Sequence, residues 1–112
     1  MIYGIGVNQH GLQPEMRKVE KTFDKVWAKH GLGEPVCKSA ADREHMRYSW
    51  HYFGMAIDVT LQDIPTHLVY PILDDLRREL TAPYQIIHHR GSHIHVECDI
   101  DAFPQYQRGA HQ

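Results

Sequence analysis

One ten-residue stretch carries residue types and a spacing suited to metal chemistry. Residues 49–58 read S-W-H-Y-F-G-M-A-I-D, which places His51 and Asp58 seven residues apart. A second stretch, residues 92–97, reads S-H-I-H-V-E and supplies a further histidine pair. Two histidines and one carboxylate form a common open zinc site, whose fourth position is left for water or substrate. These two stretches therefore predict a bound zinc ion.

Short β-strands are expected to position these side chains. Residues 55–61 alternate as a central strand would, with Asp58 on the face opposite to Ile57 and Val59. An unpaired carboxylate in such a buried strand is costly, so Asp58 needs a partner or a metal. The same alternation puts three polar residues on one face of the next candidate strand: His93, His95 and Glu97. The competing interpretation is that His51, Asp58, His93 and His95 are unrelated polar residues at the surface.

The chain has the length and composition of one globular domain. We expect a single domain over residues 1–112, with a core at about 14–98 and a tail at 99–112, and a monomer. The formal net charge of -2 gives no reason to expect a nucleic-acid partner. No apolar stretch approaches the roughly 20 residues of a membrane span. The count of 10 histidines favours a metal site, although at least half of them are expected at the surface.

The two cysteines and residues 1–15 indicate the cellular compartment in which the protein is expected. Cys37 and Cys98 form neither a disulfide framework nor a C-x-x-C pair, so we expect two reduced, partly buried thiols. Residues 1–15 lack the basic start and apolar core of a signal peptide. The expected location is the cytoplasm, where the chain is made, unless another agent releases it.

The remaining segments predict an α+β domain. Residues 1–13 are broken by glycines and are expected to be an irregular lead-in. We expect a small, mainly antiparallel sheet with helices packed on one side. The predicted elements are a helix from 14 to about 30, a strand at 34–39, a helix at about 65–80 that either kinks at Pro71 or begins in earnest after Tyr70, and a hairpin of 84–88 and 93–98 with its turn at 89–91.

The motif S-x-H-x-x-G-x-A-x-D at 49–58, together with H-x-H at 93–95, resembles the LAS family of zinc proteins. That family holds lysostaphin-type peptidases, D-alanyl-D-alanine carboxypeptidases, related peptidoglycan endopeptidases and the hedgehog signalling domain. The similarity covers residues 36–97, more than half of the chain. It implies a fold like that of hedgehog and the D-Ala-D-Ala peptidases, and one zinc ion held by three residues: His51, Asp58 and His95.

The resemblance also implies roles for neighbouring residues. Ser49 matches the motif serine that helps to hold substrate, and His45 matches a loop histidine near the zinc. His93 matches the first histidine of the H-x-H pair, which is a general acid or base in the enzymes; the alternative is that it only orients the metal site. The planar guanidinium groups of Arg43, Arg47 or Arg90 could bind a peptide carboxylate, or they could simply be solvated.

One departure from the family pattern concerns the catalytic base. Carboxypeptidase-type members and hedgehog have a glutamate a few residues before the last ligand, whereas residues 88–92 of this chain read H-H-R-G-S. His89 occupies about that position and could serve as a base, as neutral imidazoles commonly do. Glu97 is the nearby carboxylate. Either residue could replace the glutamate, or the domain could bind zinc without catalysis.

The resemblance implies a zinc-dependent peptidase that hydrolyses peptidoglycan stem peptides with zinc-activated water, as a carboxypeptidase or an endopeptidase. A chain without a signal peptide suits a phage-type lysis or tail-associated enzyme, or part of a fusion or complex. The alternative is a catalytically inactive, zinc-stabilised binding domain of the hedgehog type. A metal-free structural domain is the third possibility.

Overall fold

The computed structural model describes residues 1–8, 10, 12–40 and 55–99. Within them the chain forms two α-helices and five β-strands, so the predicted α+β class is confirmed. In chain order the elements are β1 (Ile2–Tyr3), a 3-10 turn (Pro14–Met16), α1 (Arg17–Lys29), β2 (Val36–Ser39), β3 (Ala56–Thr60), α2 (Thr66–Glu79), β4 (Tyr84–His89) and β5 (His93–Cys98).

The five strands form a mixed sheet in the order β1-β2-β3-β5-β4. β1 pairs in parallel with β2, whereas the other three neighbouring pairs are antiparallel. The sheet predicted as mainly antiparallel is therefore mixed, with one parallel pair at the β1 edge. The lead-in, predicted to be irregular, contains the strand β1. A two-residue strand is too short to show a period of two, and its partner lies more than thirty residues away, so only pairing across the fold reveals it.

A single apolar core joins both helices to one face of the sheet. Fully buried strand residues on this face include Ile57, Val59, Ile94 and Val96. Against them pack the apolar side of the first helix and that of the second: Met16, Val19, Phe23, Val26, Trp27, Ile72, Leu73 and Leu76. The opposite face of the sheet, which carries Asp58, is thereby left to hold the polar residues.

The helix boundaries follow local backbone preferences. α1 stops before Gly31, whose φ of 72° is the left-handed conformation that glycine adopts without a steric cost. α2 begins at Thr66, directly after Pro65, and continues past Pro71. A start only after Tyr70 is therefore wrong. No helix within the described ranges is long and apolar enough to cross a membrane.

A buried carboxylate joins the two helices. Asp75 of α2 accepts a hydrogen bond from Lys29 Nζ at 3.0 Å, contacts His30 Nε2 at 2.7 Å and pairs with Arg78. These hydrogen bonds, led by that of Lys29, hold the pKa of Asp75 well below its usual range. The contacts thus connect the end of α1 to the middle of α2.

Both cysteines are free and fully buried on the core side of the sheet. This confirms the prediction of two thiols, with more complete burial than expected. Burial, together with nearby carboxylates, raises the pKa of Cys98 to about 11. Cys98 therefore lacks the thiolate character of a reactive cysteine.

Candidate functional site

The polar face of the sheet brings together predicted site residues from three strands. In the pairing of β3 with β5, Asp58 lies opposite His95, and in the pairing of β5 with β4, His89 lies opposite His93. The polar residues of β5 are half-buried while the intervening apolar residues are fully buried, as the alternation predicts. We call this the site face, defined by Asp58, His89, His93, His95 and Glu97.

Asp58 and His95 are in direct contact at the centre of the site face. Asp58 Oδ1 lies 2.8 Å from His95 Nδ1, and the two side chains are only 11% and 14% exposed. The antiparallel ladder sets this contact, because directly opposed residues of neighbouring strands have their side chains side by side. The partner that a carboxylate in a buried strand requires is therefore present.

Glu97 engages the other nitrogen of the same imidazole. Its Oε1 lies 2.9 Å from His95 Nε2, two residues further along β5. Burial lowers the pKa of His95, but hydrogen bonds to Asp58 and Glu97 outweigh it and raise the pKa above its usual value. Two carboxylates, one on each ring nitrogen, favour a ring that carries two protons. A cation between Asp58 and Nδ1 would take the place of one proton.

His93 differs from His95 in its surroundings. Its Nε2 lies 3.7 Å from Asp58 Oδ1, beyond hydrogen-bond length, and its Nδ1 lies 2.7 Å from Ser92 Oγ. Burial lowers the pKa of His93, with smaller contributions from the positive charge of Lys38 and from the neighbouring imidazoles, while Asp58 opposes the shift. The lowered pKa favours the neutral imidazole of His93 at pH 7, the form that can accept a proton.

His89 lies on β4, at the exposed edge of the site face. Its ring stacks on that of His93 with centroids 4.4 Å apart and an angle of 20° between planes, and it meets His95 edge-on at 6.4 Å. The side chain is exposed, with β4 forming the edge of the sheet. The fold thus places His89, predicted as a possible catalytic base, beside His93 and His95.

The donor set of the site face suits a metal at Asp58 and His95. Neighbouring ligands of a tetrahedral zinc ion lie roughly 3.3 Å apart, so the observed 2.8 Å contact needs only a small opening. A metal-bound histidine commonly gives its second nitrogen to a carboxylate, as His95 does with Glu97. In the described part of the chain, no group of three or more His, Cys, Asp or Glu side chains is placed to hold a metal.

The third predicted ligand falls outside the described residues. His51 lies in the range 41–54, as do the residues predicted to bind substrate or assist the zinc: Arg43, His45, Arg47 and Ser49. The described chain stops at Ala40, next to a residue of β2 paired with Asp58, and resumes at Met55, three residues before Asp58. Both end residues are fully buried.

Two further residues near the site were not singled out from the sequence. Lys38 Nζ donates a hydrogen bond to Ser92 Oγ at 3.1 Å, and Ser92 in turn contacts His93. Alternation from the buried Cys37 could have placed Lys38 on the polar face. That Lys38 lies close to Ser92, 54 residues away in the chain, is seen only in the tertiary structure.

Comparison with protein-family models, curated proteins and solved structures finds no match to this chain.

Proposed function

We propose that this chain is a zinc-dependent peptidase of the LAS type, with a fold like that of hedgehog and the D-Ala-D-Ala peptidases. It hydrolyses peptide bonds of peptidoglycan stem peptides, as a carboxypeptidase or an endopeptidase. The observation that carries the proposal is the contact of Asp58 with His95 Nδ1 while Glu97 takes Nε2. This carboxylate–histidine–carboxylate arrangement is the one expected of an oriented metal ligand.

His51, Asp58 and His95 would hold one zinc ion. Bound there, zinc would act as a Lewis acid and make water nucleophilic near neutral pH. Glu97 holds the His95 ring so that Nδ1 faces Asp58, and the ladder between β3 and β5 keeps both side chains in place. Ligands fixed on packed strands support a metal more rigidly than ligands on loops.

Imidazoles, not carboxylates, move the protons of the reaction. Asp58 and Glu97 both contact His95, which supports a role for them in holding and orienting the metal ligand. His93 and His89 stack beside them, and the lowered pKa of His93 keeps that ring neutral at the working pH. A histidine pair therefore replaces the family glutamate.

The substrate is held by residues of the motif and the segment before it. Ser49 orients the peptide, and Arg43 or Arg47 binds its carboxylate. His45 helps to stabilise the negative charge that develops on the carbonyl oxygen. The enzyme works as a monomer. It is made in the cytoplasm and reaches the cell wall by a phage-type release.

The test is hydrolysis of purified stem peptides by the zinc-loaded protein, read by mass spectrometry beside the zinc content per chain. Asp58→Ala removes a ligand, and Asp74→Ala, at an exposed position of α2, is the matched control. Products that vanish with Asp58→Ala and with chelator, but persist with Asp74→Ala, support the peptidase. The bond cleaved separates carboxypeptidase from endopeptidase.

The second candidate is a zinc-stabilised binding domain of the hedgehog type. It is favoured by the contacts of Asp58 and Glu97 with His95. Because both carboxylates contact this ring, imidazoles lie where LAS peptidases have the glutamate that activates water. One zinc per chain with intact stem peptides after long incubation would establish this candidate against the peptidase.

A further inference from the structure

A β-bulge brings Lys38 to the site face. Cys37 of β2 pairs with Val59, whereas Ser39 pairs with Asp58, so that Lys38 and Ser39 together oppose one residue of β3. Bulges of this kind commonly occur next to active sites. The Lys38 ammonium extends past β3 to Ser92, which precedes β5. Of the carboxylates in the described ranges, none lies within 4.0 Å of it.

Ser92 has a fixed backbone at the end of the β4–β5 turn. Its N–H donates to His89 O at 3.0 Å, and its carbonyl accepts from Leu61 N at 2.9 Å. The turn itself uses Gly91 at a φ of 69°. The Ser92 hydroxyl is therefore held between Lys38 Nζ at 3.1 Å and His93 Nδ1 at 2.7 Å.

Charge favours one order of donors along this line. An ammonium group donates and cannot accept, so Ser92 Oγ accepts from Lys38. Accepting from a cation strengthens the serine hydroxyl as a donor, which favours donation of its proton to His93 Nδ1 as the nitrogen without a proton. In a neutral imidazole the single ring proton is then on Nε2. That proton points to the side on which Asp58 Oδ1 lies 3.7 Å away, where the negative charge favours it.

We infer that Lys38 and Ser92 are positioning residues that hold His93 in the tautomer with its proton on Nε2. On the proposed peptidase function, on which this role rests, His93 is then a hydrogen-bond donor. Its Nε2–H donates to the scissile carbonyl oxygen as negative charge develops there. His89, stacked beside it, is left as the imidazole that accepts a proton. The tautomer itself does not depend on catalysis.

The test is side-chain ¹⁵N–¹H correlation NMR of the histidine rings in the zinc-loaded protein, with the His93 signals assigned by His93→Gln. The tautomers of neutral histidine give distinct patterns, and a merely structural role of Lys38 would leave the pattern unchanged. The wild type is expected to show one tautomer, with a proton on Nε2. Ser92→Ala and Lys38→Met are expected to lose this single pattern and populate the other tautomer.

Matched variants separate the charge from general effects of substitution. Lys38→Arg keeps a donor and is expected to retain the wild-type pattern, as is Lys21→Met at an exposed position of α1. A wild-type proton on His93 Nδ1 would overturn the inference, and so would unchanged patterns in both Ser92→Ala and Lys38→Met. Hydrolysis and zinc content are read on the same samples. Their failure with the Nε2–H pattern intact counts against the peptidase and not against the tautomer.

Discussion

Glu97 Oε1 lies 2.9 Å from His95 Nε2, and the same imidazole offers its Nδ1 to Asp58 from the neighbouring strand. Because one nitrogen is engaged along β5 and the other across the ladder, the ring has little freedom to rotate. The sequence makes Glu97 a candidate replacement for the glutamate of the LAS family that it resembles. The contact of Glu97 with His95 supports a different role, that of orienting a proposed metal ligand.

Replacing Glu97 by Gln is expected to weaken zinc binding by about 10–100-fold without unfolding the protein, because the ligand loses its charged orienting partner. The measurement is competition for zinc against a chromophoric chelator. Glu34→Gln, at an exposed position, is the control and should match the wild type. An unchanged zinc affinity with abolished turnover would instead make Glu97 the catalytic base.

Replacing His93 by Ala is expected to lower kcat by roughly 10²–10⁴-fold, the usual contribution of a side chain that transfers a proton or donates a hydrogen bond in the transition state. The zinc content should stay at one per chain, because His93 is not among the proposed ligands. Steady-state kinetics on a stem peptide, with zinc measured by atomic absorption, checks both. Loss of the metal in His93→Ala would show that His93 is itself a ligand.

The Asp75 contacts predict a pH-dependent effect on stability. The pKa of Asp75 in the folded protein lies below its ordinary value of 3.8, so the carboxylate stabilises the fold at neutral pH, and this contribution is lost as the pH falls below about 4 toward the lowered pKa. Asp75→Asn should therefore lower the melting temperature by several degrees at pH 7, and the difference should shrink below pH 4.

Glu79→Gln is the comparison for Asp75→Asn, since Glu79 forms an exposed pair with Lys25 at 2.7 Å. Exposed pairs contribute little, so its melting temperature should stay close to that of the wild type. Thermal unfolding followed by circular dichroism between pH 3 and 7 measures both variants. A difference for Asp75→Asn that is independent of pH would contradict the assigned role of its charge.

Packing in the core beneath the site face should contribute to the free energy of unfolding. Ile94 is fully buried between His93 and His95 but faces the opposite side of β5. Ile94→Ala is expected to reduce the free energy of unfolding by about 2–5 kcal/mol, whereas Ile94→Val should cost about 0.5–1.5 kcal/mol. Denaturant unfolding gives both values. Equal effects of the two variants would contradict close packing at this position.

Much of the local structure could be predicted from periodicity. The burial pattern of β5 and the placement of Asp58 opposite to Ile57 and Val59 are properties of short stretches of sequence. So are the apolar stripes of the helices. A period of two or of 3.6 residues specifies which residues share a face, because side-chain direction depends only on the local backbone.

The sequence by itself therefore determined which side chains share a face: His93, His95 and Glu97 on one strand, and Asp58 on another. Only the tertiary structure decided that β3 lies beside β5, with α2 and β4 intervening in the chain, so that Asp58 meets His95. It also decided the parallel addition of β1 and the contact of Lys38 with Ser92. Strand order depends on which faces can be buried together, and this is a property of the whole chain.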